Sequence, residues 1–282
     1  MNRYWGALPL VVLAAISLMF AANTRWESEA ATFRVQMQAQ SRPITPPIYS
    51  ARELDGLPLP VQRYFRAVLR EGQPMVKRAR FTQEGTFLQN LEGQRWEPFD
   101  ATQLVTTSPP GFDWDARIQM IPGARVHVRD SYSSGVGTLH AAVMGLVTVA
   151  NIHGGADLAQ GELMRYLAEA VWYPTALLPS QGVRWEAIDA TSARATLQDG
   201  ANSVSLEFRF GTDGLVSTVW AKSRTMVSGK EVQQAPWQGK FDAYDWRGGM
   251  LVPTIGEVEW QLPQGPVPYW RGRITQIEYA FA

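Results

Sequence analysis

The chain has 282 residues, 26 basic and 26 acidic side chains, a pI near 6.9 and no cysteine. Balanced charge argues against a nucleic-acid module, which concentrates Lys and Arg to displace counterions from phosphate. The lack of Cys excludes a disulfide framework, thiolate-bound zinc, iron–sulfur chemistry, a thiol nucleophile and a lipidated N-terminal cysteine.

The first element is an uncharged run from Tyr4 to Thr24, whose core from Trp5 to Ala22 would span roughly 27 Å as a helix, close to the hydrocarbon thickness of a bilayer. With Arg3 and the amino terminus before it, the positive-inside rule leaves the short end in the cytoplasm and carries the rest across the membrane. This predicts a single-pass anchor in the bacterial inner membrane with the body in the periplasm or outside the cell. A cleaved signal peptide followed by secretion is the alternative. Met19 and Phe20 disfavour cleavage directly after the run, and Ser28-Glu29-Ala30 lies late for it. Trp5 and Trp26 flank the run as interfacial anchors would. The division expected is an anchor or signal over 1–24, a polar Pro-containing tether over 25–56 carrying Pro43, Pro46 and Pro47, and one folded domain over 57–282.

The folded part opens with a helix from Pro60. Val61, Tyr64, Phe65, Val68 and Leu69 fall on one face, and Arg63, Arg66 and Arg70 lie on the other, where they suit solvent or anionic headgroups. From Val76 the period changes to two. Phe112, Trp114, Ala116, Ile118 and Met120 alternate with polar residues, Pro122-Gly123 turns the chain, and Val126, Val128, Asp130 and Tyr132 follow as the partner strand. That phase puts the Asp130 carboxylate on an otherwise apolar face.

An apolar, small-residue segment from Gly137 to Ala150 and a helix over Asp157 to Val171 form the helical insertion expected at 138–173. Pro174 and Pro179 end it. Strand pattern then resumes from Val183 to Phe281, with turns at Asp199-Gly200, Asp213-Gly214 and Arg247-Gly248-Gly249. The sum is about ten strands in an antiparallel run, without the strand–helix alternation of a doubly wound fold. The fold class predicted is mainly β with α (α+β), a large curved antiparallel sheet resembling a half-barrel, its concave side closed by helices and an N-terminal transmembrane helix before it.

Several stretches carry a resemblance: Leu57 to Phe65, Phe112-Asp-Trp114, Asp130 to Gly137, Gly161 to Pro179 with its Glu169-Ala-Val-Trp-Tyr-Pro-Thr-Ala-Leu-Leu-Pro179 core, Val183 to Asp189, and Trp246 to Pro253. Over most of residues 57–281 the chain resembles an uncharacterised bacterial membrane-anchored family of unknown function, which implies no activity. The second half is similar, more weakly, to the half-barrel of the lipoprotein-localisation factors. That implies a curved sheet, helices and a lipid-sized apolar cavity, at the level of fold alone.

No Gly-x-Ser-x-Gly elbow, phosphate loop, His-Glu-x-x-His or dinucleotide fingerprint occurs, so no catalytic residue, cofactor or metal site is assigned and an enzyme is not the favoured reading. His127, His140 and His153 recur every 13 residues but lack acidic neighbours suited to a coordination sphere. The candidate ligand-binding residues are Asp130, Arg165 and Glu169, with the aromatics Trp114, Trp172 and Tyr173. Arg165 is expected to pair with Glu169 along the helix or with Asp130 across to the sheet, either as a structural pin or to orient a polar headgroup. The aromatics suit either the core or a pocket for an amphipathic ligand. The expected function is binding of a lipid or other apolar molecule, with the membrane as partner through the helix and no nucleic acid. An envelope hydrolase using Asp130 and Glu169, and an assembly or scaffold module, are the alternatives.

Overall fold

A computed structural model describes residues 7–88, 95–228 and 231–282, with backbone alone at 7–12, 15, 227, 228, 231 and 232. Helix α1 runs over Ala7–Ala39 and α2 over Leu59–Val68. The first strands are β1 Val76–Leu88, β2 Trp96–Thr107, β3 Pro110–Ile121, β4 Ala124–Ser133, β5 Val136–Val143 and β6 Val147–His153. After helix α3, Ala156–Glu169, and three short 3-10 turns come β7 Arg184–Ala187, β8 Ser192–Asp199, β9 Asn202–Phe210, β10 Val216–Ser228, β11 Glu231–Arg247, β12 Met250–Leu262 and β13 Gly265–Phe281.

All thirteen strands lie in one antiparallel sheet of order β6-β5-β4-β3-β2-β1-β13-β12-β11-β10-β9-β8-β7. The chain builds one half outward from β1 to β6, crosses the concave face through α3, and builds the other half inward from β7 until β13 pairs with β1. Curvature follows from the contacts of α3, which touches β3, β4 and β5 on one side and β9 and β10 on the other. In a flat sheet β3 and β10 would stand six strand spacings, about 29 Å, apart. One rim is closed directly, because Tyr132 donates to Asp199 (2.7 Å) and Asn202 donates to the Gly135 carbonyl (2.9 Å).

A row of strand glycines accompanies the bend. Gly256 pairs with Gly272, which pairs with Gly85. A Cβ on Gly272 would stand 2.3 Å from the Trp270 ring, and one on Gly85 would stand 1.9 Å from the Arg271 carbonyl oxygen. Glycine is therefore required at both, where a backbone or a ring crosses the strand closely. Helix α2 buries Val61, Tyr64, Phe65 and Val68 as its period requires. Arg63 donates to the Ala190 carbonyl and Arg70 lies over Trp246, so neither is free for headgroups.

Three expectations are corrected. Residues 25–56 are not a loose tether. Residues 25–39 form the second half of α1, which lies along the outer face of β2 and β3, and residues 40–56 are tied by backbone bonds such as Arg42 N–H to the Ser108 carbonyl (2.7 Å) and Tyr49 N–H to the Gln73 carbonyl (2.8 Å). The physical reason is a thin apolar stripe set in a polar helix: Ala22, Trp26, Ala30 and Met37 fall on one face and are buried. Beside that stripe, Arg34 (2.6 Å) and Arg129 (2.7 Å) both hold the fully buried Asp113. Second, Trp26 is no interfacial anchor. It is 3% exposed, stacks on His140 with ring centroids 4.7 Å apart and donates to Asp115 (2.9 Å). Third, the insertion expected over 138–173 begins as strand, because β5 and β6 occupy its first part, and a short apolar run does not separate a strand from a buried helix by period.

Among the described residues no helix is long and apolar enough to cross a membrane. The start of the expected span, including Trp5, lies outside the described residues.

Candidate ligand cavity

The concave face, roofed by α3 and the turn after it, encloses a cavity of about 230 Å³. From the second half of the sheet, Trp237, Phe241, Val258, Tyr269 and Trp270 wall it, and Phe87 joins them from β1. From the first half come Trp114, Val128 and Leu139, which the register places on one face: Trp114 pairs with Asp130 and Asp130 with Leu139, while Val128 occupies the next inward row. Gly239 and Gly256 line the cavity where side chains would fill it.

Arg165 on α3 organises the polar corner. Its Nε donates to Glu169 (2.8 Å) and its Nη1 to Asp130 (2.9 Å), so both expected pairings form at once. The guanidinium also lies 4.9 Å from the ring centroids of Phe112 and Trp114, a cation–π arrangement. From the sheet, Gln103 donates to Glu169 (2.6 Å), Gln83 to Gln103 (3.2 Å), and the Trp114 indole to Gln83 (2.8 Å). Burial raises the Asp130 carboxyl above its ordinary range, with Arg165 and Arg224 opposing the shift. Burial also works against the Arg165 cation, but Glu169, Asp130 and Glu162 together hold it above its usual value.

Five of the six candidate residues, Asp130, Arg165, Glu169, Trp114 and Trp172, border this cavity. Tyr173 does not. It is fully buried behind the wall, donating to the Tyr166 carbonyl (2.8 Å). The sequence reading passed over Glu162, Arg224 and the aromatics of β11 and β13. Glu162 lies three residues before Arg165 and seven before Glu169, a helical spacing that puts all three on one face. Its carboxyl is 5% exposed with Oε2 unpartnered, and burial followed by the Asp130 charge pushes it up to about 8. Arg224 lies 5.0 Å over Trp237, donates to Tyr269 (3.3 Å), and forms no ion pair among the described residues. With Glu162 protonated, the two guanidinium groups balance Asp130 and Glu169, and the corner is neutral.

The histidines do not converge. His127 and His140 lie against Trp26 beneath α1, and burial, then Arg117, holds His127 down to about 4. Among the described residues no His, Asp or Glu cluster is arranged for a metal.

An open, curved antiparallel sheet with an aromatic-walled cavity between its concave face and a crossing helix defines a half-barrel-like cavity protein. The chain belongs to DUF6920, a family of unknown function whose profile matches residues 55–279. Among solved structures it is similar to a LolA superfamily protein, NE2245 from Nitrosomonas europaea, with 10% identity, a TM-score of 0.39 and coverage of 83% of this chain and 95% of that one. It is also similar to a β-barrel-like protein of the domain of unknown function DUF1849 from Brucella abortus, with 11% identity, a TM-score of 0.24 and coverage of 73% and 99%. No curated protein matches the chain.

Proposed function

We propose that the chain binds one apolar or amphipathic small molecule in the concave cavity and is held at a membrane by the apolar start of α1. The observation that carries the binding reading is the cavity itself: about 230 Å³ of space walled largely by rings and aliphatic side chains, with a charge-balanced polar corner at Arg165 and the Lys240–Glu257 ion pair on the β11–β12 wall. Its volume lies below the ~300–1,000 Å³ usual for drug-sized ligands, so it suits one acyl chain or a small ring system better than a whole two-chain lipid. The charge balance at Arg165 favours a ligand whose polar end is uncharged, because a net charge placed there would have no counterion. Anchoring rests on the Tyr4 to Thr24 run, and with Arg3 before it the body lies on the far side of a bacterial inner membrane.

The experiment is native mass spectrometry with organic extraction of the full chain purified from membranes, beside Leu139→Trp, which fills the cavity from β5. A copurifying apolar molecule in the native chain that is lost in the folded variant supports the reading. A native chain without ligand, or equal ligand in both, refutes it.

A further inference from the structure

The apolar face that lines the cavity does not end there. Rows of paired residues cross β3, β4 and β5 on this face: Trp114, Asp130 and Leu139 at the cavity, then Ala116, Val128 and Ala141, then Ile118, Val126 and Val143, with Val147 of β6 paired to Val143. The track therefore runs from the cavity to the rim made by the β3–β4 and β5–β6 turns. That rim is apolar and uncovered: Ile121 is 56% exposed and Val147 62%, with Val149 beside it on β6.

Helix α1 leaves the domain past this same rim. Going toward its N-terminus, it meets Asp113 through Arg34, then Asp115 and His127 through Trp26, then the β5–β6 turn, where the Ala22 carbonyl oxygen is 3.6 Å from the Cβ position of Gly145. From Ala22 back to Ala7 the helix continues for about 22 Å, with Leu13, Ile16, Leu18 and Phe20 more than half exposed. The apolar half of the helix, the apolar turn tips and the rim end of the apolar track, whose Ala116, Ile118 and Ala141 are buried, thus stand together at one end of the molecule.

We propose that this rim rests in the surface of a lipid bilayer, so that the track ends in the membrane and parting of its buried rows lets the cavity take its ligand directly from that bilayer. The rim commits to lipid because it is continuous with a helix segment whose exposed residues are all apolar or small, and because contiguous exposed apolar surface is stabilised by removal from water. The lipid-uptake half of this proposal rests on the cavity reading above. The rim contact does not.

The cysteine-free chain allows a direct test. Single cysteines placed in the full chain at Ile121, Val147 and Ser203 are labelled with an environment-sensitive nitrobenzoxadiazole probe, and the protein is reconstituted in phosphatidylcholine vesicles with and without acyl-chain bromination. Ser203 is an exposed site on β9 beside Asn202, which bonds to the β4–β5 turn at the opposite rim. The proposal expects most of the fluorescence at 121 and 147 to be lost to bromolipid and that at 203 to be retained. Labels at 121 and 147 quenched no more than at 203, while lipid still copurifies, overturn the rim contact and leave the cavity reading standing. Quenched rim labels with a ligand-free cavity overturn uptake and the cavity reading together.

Discussion

Replacing Glu162 by Gln isolates the most strongly perturbed carboxyl of the cavity corner. Glu162 is 5% exposed, its Oε2 has no partner, and burial with the nearby Asp130 charge raises its carboxyl to about 8. In the unfolded chain it returns to about 4.3. Below that value both states are protonated and the group costs nothing. From there up to about 8 the unfolded chain has released this proton and the folded chain keeps it, so stability falls as pH rises, by about 1.4 kcal/mol per pH unit. At pH 7 the accumulated loss is about 3.5 kcal/mol. Gln is neutral and of the same size, so Glu162→Gln should match the native chain near pH 4.5 and exceed it progressively toward pH 8. For a domain of this size about 3.5 kcal/mol corresponds to roughly 7–14 °C in melting temperature. Parallel thermal and urea unfolding curves at pH 4.5, 6, 7 and 8 read this difference. A gap between the two proteins that stays constant across the series would refute the placement of Glu162 as a buried, unpaired acid.

Arg165→Met leaves Asp130 and Glu169 without their shared cation. Because the three side chains are 13–21% exposed, the expected loss at pH 7.5 is about 2–4 kcal/mol, slightly below that of a fully buried pair, and it should shrink toward pH 5 as Asp130, whose carboxyl burial raises, protonates. Urea midpoints at both pH values check this. Trp26→Ala removes the ring wedged between His127 and His140 and should cost about 3 kcal/mol, with faster amide exchange over residues 22–39. The same variant should let the His127 titration rise from about 4 toward its ordinary value, visible in imidazole proton shifts. In the native chain that depressed value means stability is lost as pH falls from about 6.5 toward 4. Ligand affinity should follow chain length. Each buried methylene contributes about 0.8 kcal/mol, so shortening a bound acyl chain by four carbons within the cavity should weaken binding roughly 200-fold in a displacement titration.

What the sequence exposed and what it hid follow from which forces place each element. Asp130 was visible because strand phase is strict: a period of two sets it among Val126, Val128 and Tyr132, and the register puts it opposite Trp114 on the cavity face. Helix α2 was visible because its burial is one-sided. The second half of α1 was not, since its buried stripe of Ala22, Trp26, Ala30 and Met37 is thin and set among polar residues, and the ion pair of Arg34 with buried Asp113 forms only across the fold. The β5 and β6 strands were hidden for the opposite reason, because a small apolar run fits helix and strand alike. The glycine row of Gly85, Gly256 and Gly272 reads along the chain as three isolated turn-formers, and only pairing across β1, β12 and β13 makes it the bend that admits Trp270.

The cavity is held unequally from its two sides, and this bears on how it could accommodate a guest. Toward the first half of the sheet, α3 is tied by directional bonds, Arg165 to Asp130 and Gln103 to Glu169. Toward β9 and β10, which it also touches, no side-chain hydrogen bond joins it among the described residues. Hydrogen bonds weaken steeply once distance and angle are lost, whereas apolar burial is non-directional and tolerates sliding at constant area. Adjustment of the cavity to a longer or wider ligand therefore falls on the β9–β10 side. There Arg224, stacked on Trp237 and without an ion pair among the described residues, can move with the wall without breaking a salt bridge.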